Sequence, residues 1–307
     1  MTLYLIDGSS YIYRAYHAIR GLSSSKGFPT NAIFGFTNML IKIIREKRPE
    51  ALCIVFDSPV PTERHKLYEQ YKAQRPEAPN DLVVQIPHIK EIIRAFRVTA
   101  IEMPGYEADD IICTVARRVS EQGMDVFIVS SDKDMMQIVS EKVRIFDPMK
   151  DVVIDEKTVL ERFGLPPERL NELMALTGDA IDNIPGVKGI GEKTAKELLQ
   201  NAGSIDDLLD NPGAIRKEKL RALIAENREI IRLSKTLATV NADLPVHIDL
   251  ESLKAREPEW TEILRLFREF EFRSLMNRIP AVKGEPRGKY RTVMTREELR
   301  ELIGRMG

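Results

Sequence analysis

Nine acidic residues fall where a folded chain could bring them together. Asp7 ends "TLYLID" and Asp57 ends "ALCIVFD". Glu107, Asp109 and Asp110 crowd into "EADD", Asp132 and Asp134 into "SSDKD", and Asp179 and Asp182 into "TGDAID". Carboxylates packed this tightly repel one another unless something neutralises them. Singly, each has an ordinary use: an Asp after a strand caps the next helix, and Asp179 and Asp182 suit a turn. Capping alone would draw on Ser, Thr and Asn as often as on Asp, yet acids recur at nearly every such position. A carboxylate cluster without His or Cys selects hard cations such as Mg²⁺ or Mn²⁺. The cluster holds more acids than one ion needs. Two ions about 4 Å apart stabilise the attacking and leaving oxygens of a phosphodiester displacement.

The elements that must position these acids are legible as apolar runs and stripes. "TLYLID", "ALCIVFD", "VTAIEM" and "DVFIVSS" read as buried strands, and "RIFDP" with "DVVID" as a hairpin. Between them, "NAIFGFTNMLIKIIREKRP" carries Ile33, Phe36, Leu40, Ile43 and Ile44 on one helical stripe and stops at Pro49. "IPHIKEIIRAFR" repeats that spacing, and "EADDIICTVARRVSEQG" is a helix closed by Gly123. Such alternation predicts an α/β class, a mainly parallel sheet with helices on both faces. Asp7, Asp57, Asp132 and Asp134 then follow strand ends, and Glu107, Asp109 and Asp110 begin a helix. In open α/β sheets, sites form beyond the carboxyl ends of the strands.

From about residue 155 the pattern turns helical, with "EKTVLERFG", "PERLNELMALTGD", "GEKTAKELLQNAG", a long segment from Lys217 to about Leu237, and a closing helix in "PEWTEILRLFREFEFRSLMNRI". We expect an α/β domain over 1–154 and an all-α region over 155–279. After Pro280 a Gly/Pro/Lys linker leads to "YRTVM" and "TREELRELIGRM", one strand and one helix, too little to bury a core alone.

Two stretches offer phosphate contacts. The segment "SPVPTERHKLYEQYKAQRPEAPND", about 58–81, is long for a loop and interleaves Arg64, Lys66, Lys72 and Arg75 with Tyr68 and Tyr71. Basic side chains grip phosphates and tyrosines stack on unpaired bases, although a solvated loop has the same composition. "GVKGIGEKTAKELL" fails the P-loop pattern, because Glu192 intrudes before Lys193 and Thr194. It reads as a Gly-rich hairpin between helices, with Gly186, Gly189 and Gly191 freeing backbone amides and Lys188 and Lys193 adding charge. Arg14, Tyr13, Tyr16 and His17 lie just behind Asp7, whereas Met135 and Met136 read as core.

Composition sets few barriers to this reading. The chain has 307 residues and a net charge of −1; removing the nine negative charges of the acid set leaves +8, a moderately basic remainder. Cys53 and Cys113 sit in apolar runs without zinc-ligand spacing. No apolar stretch has membrane-spanning length and no leader is evident, so a cytoplasmic, membrane-free and monomeric protein is expected.

"LIDGSSYIYRAYHA", "VFDSP", "YKAQRP", "GYEADD", "SSDKDM", "GDAIDNIPGVKGIGEKTA" and "EFEFRSL" occur in the order found in bacterial 5′-nucleases. Over about residues 1–279 the chain resembles the 5′→3′ exonuclease and flap endonuclease domains of family A DNA polymerases. That resemblance implies a PIN-like or resolvase-like α/β domain followed by a helix–hairpin–helix-type (H3TH) DNA-binding region. It implies one metal cluster of Asp7, Asp57, Glu107, Asp109 and Asp110 and another of Asp132, Asp134, Asp179 and Asp182, with Asp132 between them. Lys72 and Arg75 match the catalytic basic pair of a helical arch, and Arg14 a basic residue behind the first Asp. The Gly186–Thr194 hairpin matches an element that holds duplex phosphates, often with K⁺. Glu63 stands where an aromatic is common, and Ser131 where Gly is common. The tail resembles the start of a 3′→5′ exonuclease-like domain, so the chain is expected to be the N-terminal part of a longer polymerase, nucleoid-associated and acting in DNA repair and RNA-primer removal. A non-catalytic junction binder and a PIN-like ribonuclease remain the competing classes.

Overall fold

Six strands, β1 (Thr2–Asp7), β2 (Ala51–Phe56), β3 (Thr99–Glu102), β4 (Asp125–Val129), β5 (Val143–Asp147) and β6 (Val152–Ile154), build one sheet in the computed structural model, which describes residues 1–280 and Arg300. Their order is β3-β2-β1-β4-β5-β6. All neighbours pair parallel except β6, which turns back antiparallel on β5 as the expected hairpin. Pairing on both sides leaves β1 central, and its side chains alternate between two cores. Leu3 and Leu5 join one apolar cluster, Tyr4 and Ile6 the other. Because both faces are covered there, β1 and β2 are buried along nearly their whole length.

Helices α1 (Gly8–Ala18), α2 (Asn31–Lys42) and α3 (Ile86–Ala95) bury Ile12, Ile33, Phe36 and Ile89 on the Tyr4 face. Helix α4 (Ala108–Glu121) covers the other face with Ile111, Ile112 and Val115. Helix α2 ends through a π turn at Ile43–Lys47, stopped by Arg48 in the left-handed region (φ 46°) just before Pro49. Met135, Met136, Cys53 and Cys113 are buried, as expected.

The helical half includes α5 (Leu170–Thr177), α6 (Glu192–Asn201), α7 (Arg228–Ala238) and α8 (Trp260–Glu269). The expected long segment after Lys217 is two helices, Glu218–Glu226 and α7, broken at Asn227. Leu173, Leu176, Val187 and Ile231 extend the core beneath α4, so the two halves share it. Helix α8 does not close the helical half. Its Ile263, Leu266 and Phe267 pack with Ile33, Phe36 and Ile92 on the opposite side of the sheet, covering apolar surface that α2 and α3 leave open.

Residues 58–81 depart furthest from expectation. Only Glu63–Leu67 and the start of the short Asn80–Val83 helix are helical; between them the chain runs in turns and extended stretches with Pro76 and Pro79. The segment lies down on the acidic crevice, with Tyr71 buried and the Lys72 amide bonded to the Asp182 carbonyl at 3.0 Å. The expected strand and helix after Pro280 lie outside the described residues. Among the described residues, no helix is long and apolar enough to cross a membrane.

Candidate functional site

The connections from β1 and β4 run outward in opposite directions, which opens a crevice between their carboxyl ends. Asp7, the last residue of β1, caps α1 by accepting from the Ser10 amide at 3.0 Å. Its other oxygen accepts from Ser130 Oγ at 3.1 Å, and the same Oγ receives the Asp132 amide at 3.1 Å. Ser130, not singled out from sequence, thus ties the ends of β1 and β4; its place at a strand end beside "SDKD" was the available signal. Asp57, just past β2, accepts from the Ala108 amide at 2.8 Å and so fixes the start of α4. Glu107 is the N-cap residue of α4, and Asp109 and Asp110 occupy its first turn, where the helix dipole favours negative charge. The crevice therefore gathers acids from four places in the chain.

Crowding is evident in their protonation. Burial, reinforced by the Asp57 and Asp132 charges against hydrogen bonds from Ser10 and Ser130, pushes Asp7 up to about 7. Burial and the charges of Asp7 and Asp132 drive Asp109 well above the carboxylate range. Asp134 is pushed to about 7 by burial, then by Asp132 and Asp179, and its buried Oδ1 has no hydrogen-bond partner. Burial alone would raise Glu107 as well, but Lys72 and Arg64 outweigh it and hold that carboxyl low. Among the described residues no group of three His, Cys, Asp or Glu stands close enough to grip an ion as placed. The donor chemistry nevertheless fits hard divalent cations: oxygen-only ligands, mutual repulsion and an orphaned carboxylate oxygen are what such an ion relieves.

Basic side chains cover the rest. Lys72 Nζ lies 3.0 Å from Glu107 and 3.6 Å from Asp182. Arg75 pairs with Asp182, and Lys133 lies 2.8 Å from Asp179. Arg64 grips Asp110 with two nitrogens at 2.6 and 2.8 Å. Its side chain is only 12% exposed, so in this arrangement the guanidinium expected as a DNA contact is engaged by carboxylates instead. Tyr71 likewise offers no stacking face in this arrangement: the residue is buried, and its hydroxyl, with one proton to give, lies 3.1 Å from Glu107 and 3.2 Å from Asp182. Charge and aromatic content read the same for a solvated loop and for a plug folded over carboxylates.

A cleft of about 530 Å³ opens beside the acids, lined by Tyr13, His17, Asp57, Lys72, Arg75 and Glu107. His65 also lines it and was missed; its Nδ1 accepts from the Thr62 amide at 3.2 Å, a capping-box spacing that could have been read. Tyr16 faces a neighbouring cleft and donates to Asp81 at 2.8 Å. Arg14 stands 3.8 Å from Asp147 at the end of β5, with its NH1 otherwise unpartnered.

The hairpin between α5 and α6 divides into anchors and an exposed rim. Gly186 (φ 59°) is buried, its amide donates to Ser234 Oγ at 3.1 Å, and a Cβ there would meet the Gly178 nitrogen at 2.2 Å. Its role is packing, which corrects the expectation of an amide free for phosphate. Val187 and Ile190 are buried, leaving Lys188, Gly189, Gly191 and Lys193 exposed and Thr194 half-buried. Gly191 caps α6, so the exposed rim ends at a helix N-terminus.

Residues 2–164 match the family described as 5′-3′ exonuclease, N-terminal resolvase-like domain, and residues 165–261 match 5′-3′ exonuclease, C-terminal SAM fold. A 5′-3′ exonuclease of Aquifex aeolicus is 42% identical over 281 residues, covering 92% of this chain and 96% of the relative. DNA polymerase I of Rhizobium leguminosarum is 42% identical over 285 residues, 90% of this chain but 28% of the polymerase. The thermostable DNA polymerase I of Thermus thermophilus is 41% identical over 274 residues, 89% of this chain and 32% of its own. The chain thus spans about a third or less of the polymerases and nearly all of the exonuclease. Among solved structures, the T5 D15 protein co-crystallised with metal ions shares the fold at a TM-score of 0.64 and 20% identity, over 78% of this chain and 89% of that one. The catalytic core of Rad2 in complex with DNA substrate does so at 0.60 and 18%, over 90% and 92%. With the mainly parallel sheet, its acidic switch-point crevice and the helical half all accounted for, the chain belongs to the 5′-3′ exonuclease family.

Proposed function

We propose that this chain hydrolyses phosphodiesters in DNA bearing a free 5′ end or a 5′ flap, close to the junction of single strand and duplex. The observation that carries this reading is the convergence of Asp7, Asp57, Glu107, Asp109, Asp132 and Asp134 beneath Lys72 and Arg75 at one crevice. Asp7, Asp57, Glu107 and Asp109 would hold one Mg²⁺ or Mn²⁺, and Asp132, Asp134, Asp179 and Asp182 a second; Asp110 is set apart by its pairing with Arg64. When bound, such ions supply Lewis-acid stabilisation of charge on the phosphate oxygens. Metal-ion and DNA complexes of the T5 and Rad2 proteins support that choice of cofactor and substrate.

The chain's own residues contribute the rest. Lys72 and Arg75 now neutralise Glu107 and Asp182, and both cations line the cleft. Turned toward a scissile phosphate, they would stabilise the charge that grows on it. Lys188, Lys193 and the exposed amides of Gly189 and Gly191 would hold duplex phosphates, with K⁺ as an additional counter-ion at the hairpin, so recognition follows shape rather than base sequence. In this reading residues 1–154 carry the chemistry and residues 155–279 the duplex, and RNA primers at a 5′ end are substrates too. The polymerase relatives support polymerase domains following in cis, and the Aquifex relative supports a nuclease alone; the mass of the natural protein tests this.

The deciding experiment is cleavage of a 5′-labelled flap DNA with Mg²⁺ or Mn²⁺ and again with EDTA. Cutting that EDTA abolishes is the expected result. Binding without cutting in either metal would make the protein a junction binder, and preference for a matched RNA flap would make it a ribonuclease.

A further inference from the structure

We propose that Arg64 and Asp110 form a positioning pair that sets where along the strand the cut falls, and that Asp110 is not itself a metal ligand. A guanidinium has five N–H donors, and here each has a partner. Nε donates to the Leu237 carbonyl at 3.0 Å. One terminal nitrogen donates to Asp110 Oδ2 at 2.6 Å and to Glu107 at 3.3 Å. The other donates to Asp110 Oδ1 at 2.8 Å and to the Thr239 carbonyl at 2.7 Å. Asp110 Oδ1 also accepts the Asn241 amide at 2.8 Å. Three of the roughly four lone-pair sites on this carboxylate are therefore committed to protein donors, and Asp110 is only 5% exposed. Asp134, with its orphaned oxygen, is the opposite case.

The pair joins three pieces at one point: the Glu63–Leu67 turn that begins the segment over the crevice, the acidic start of α4, and the chain at 237–241 that leaves α7. The same connector is fastened farther along α4. Thr114 Oγ1 accepts the Leu244 amide at 3.3 Å, and Arg118 donates to the carbonyls of Leu244 and Val246 at 2.6 and 2.7 Å. Helix α7 in turn holds the hairpin, through Ser234 and the Gly186 amide. An unbroken line of contacts therefore runs from the acids through Asp110, Arg64 and α7 to the exposed rim of Lys188 and Lys193. On the nuclease reading, which this inference rests on, that line fixes the distance between the gripped duplex and the reacting phosphate. Both terminal nitrogens of the fork are needed, since one bridges Asp110 to Thr239 and the other bridges Asp110 to Glu107; an ammonium has a single nitrogen and cannot span both.

The test combines two readouts on the full chain. Bound Mn²⁺ is counted by electron paramagnetic resonance for wild type, Asp7→Asn and Asp110→Asn, and the products of flap cleavage are resolved to single nucleotides for wild type, Asp110→Asn and Arg64→Lys. Asp110→Asn is expected to bind as many ions as wild type, whereas Asp7→Asn loses one. Both Asp110→Asn and Arg64→Lys are expected to spread the cut from one dominant position over its neighbours. Loss of an ion in Asp110→Asn, or a cut position unchanged in both variants, overturns the proposal alone. A wild type that cuts nothing overturns the nuclease reading, and the cut-position role with it. If Arg64→Lys does not fold, Asp110→Asn, which keeps the shape of the side chain, decides by itself.

Discussion

Neutralising Asp7 should stabilise the metal-free protein, and increasingly so as pH rises from about 4 to about 7. An Asp whose ordinary value lies near 3.8 is pushed up to about 7 in the fold, chiefly by burial and by the Asp57 and Asp132 charges. Between those two values the unfolded chain has released its proton while the folded chain keeps it. The folded state then binds more protons, so stability falls as pH rises through this window and the full penalty is present above about pH 7. At 1.36 kcal/mol per pH unit the displacement amounts to about 4 kcal/mol. Asn carries no charge and keeps the acceptor that receives the Ser10 amide. The assay is metal-free thermal unfolding from about pH 3.5 to about pH 9, a range that brackets the window. Wild type and Asp7→Asn should unfold together below about pH 4 and draw apart as pH rises to about 7, the variant then higher by roughly 5–10 °C. Adding Mn²⁺ at pH 8.5 should raise the wild type and leave the variant behind, because the ion stabilises whichever folded state binds it. A wild type whose stability climbs with pH, or a variant less stable at pH 8.5 than its parent, would refute the electrostatic account of the crevice.

Other expectations follow from neighbouring features. Lys72→Ala and Arg75→Ala should each slow single-turnover cleavage about 10²–10³-fold, the range for losing one transition-state donor, with little change in DNA affinity by anisotropy. Lys188→Ala with Lys193→Ala should weaken duplex binding and lower the salt dependence of log K by roughly 1.8, two phosphates' worth; an unchanged slope in a salt titration would remove the hairpin from the DNA contact. Gly186→Ala should cost well over ~1 kcal/mol in a urea titration, because the residue combines a left-handed φ of 59° with no room for a Cβ.

Much of this architecture can be read directly in the chain. Apolar runs covered on both faces announce a parallel sheet, and in such a sheet the residue after a strand has only one place to go. That is why Asp7, Asp57 and Asp132 could be assigned to one crevice before any coordinates. Periodicity cannot reveal partners. Arg64 and Tyr71 look like a basic, aromatic loop until the fold turns them inward, where every donor of Arg64 is spoken for. Gly186 resembles its neighbours Gly189 and Gly191, and only the approach of Gly178 separates packing from exposure. The stripe of α8 was legible as apolar, but the surface it covers lies more than 150 positions earlier in the chain, a distance over which no local pattern carries information.

That return of α8 has a consequence for biosynthesis. The sheet and its first four helices are complete by residue 154, yet the apolar cluster that holds Ile33, Phe36 and Ile92 is completed by residues 263–275. At bacterial elongation rates of about 5–20 residues per second, the ribosome needs on the order of ten seconds to deliver that cover. During the interval the nascent domain would expose the part of that apolar flank which the last helices cover. A chain truncated between the halves would lack the side chains of Ile263, Leu266 and Phe267 on that flank, so the α/β half is completed by sequence that lies beyond the helical half.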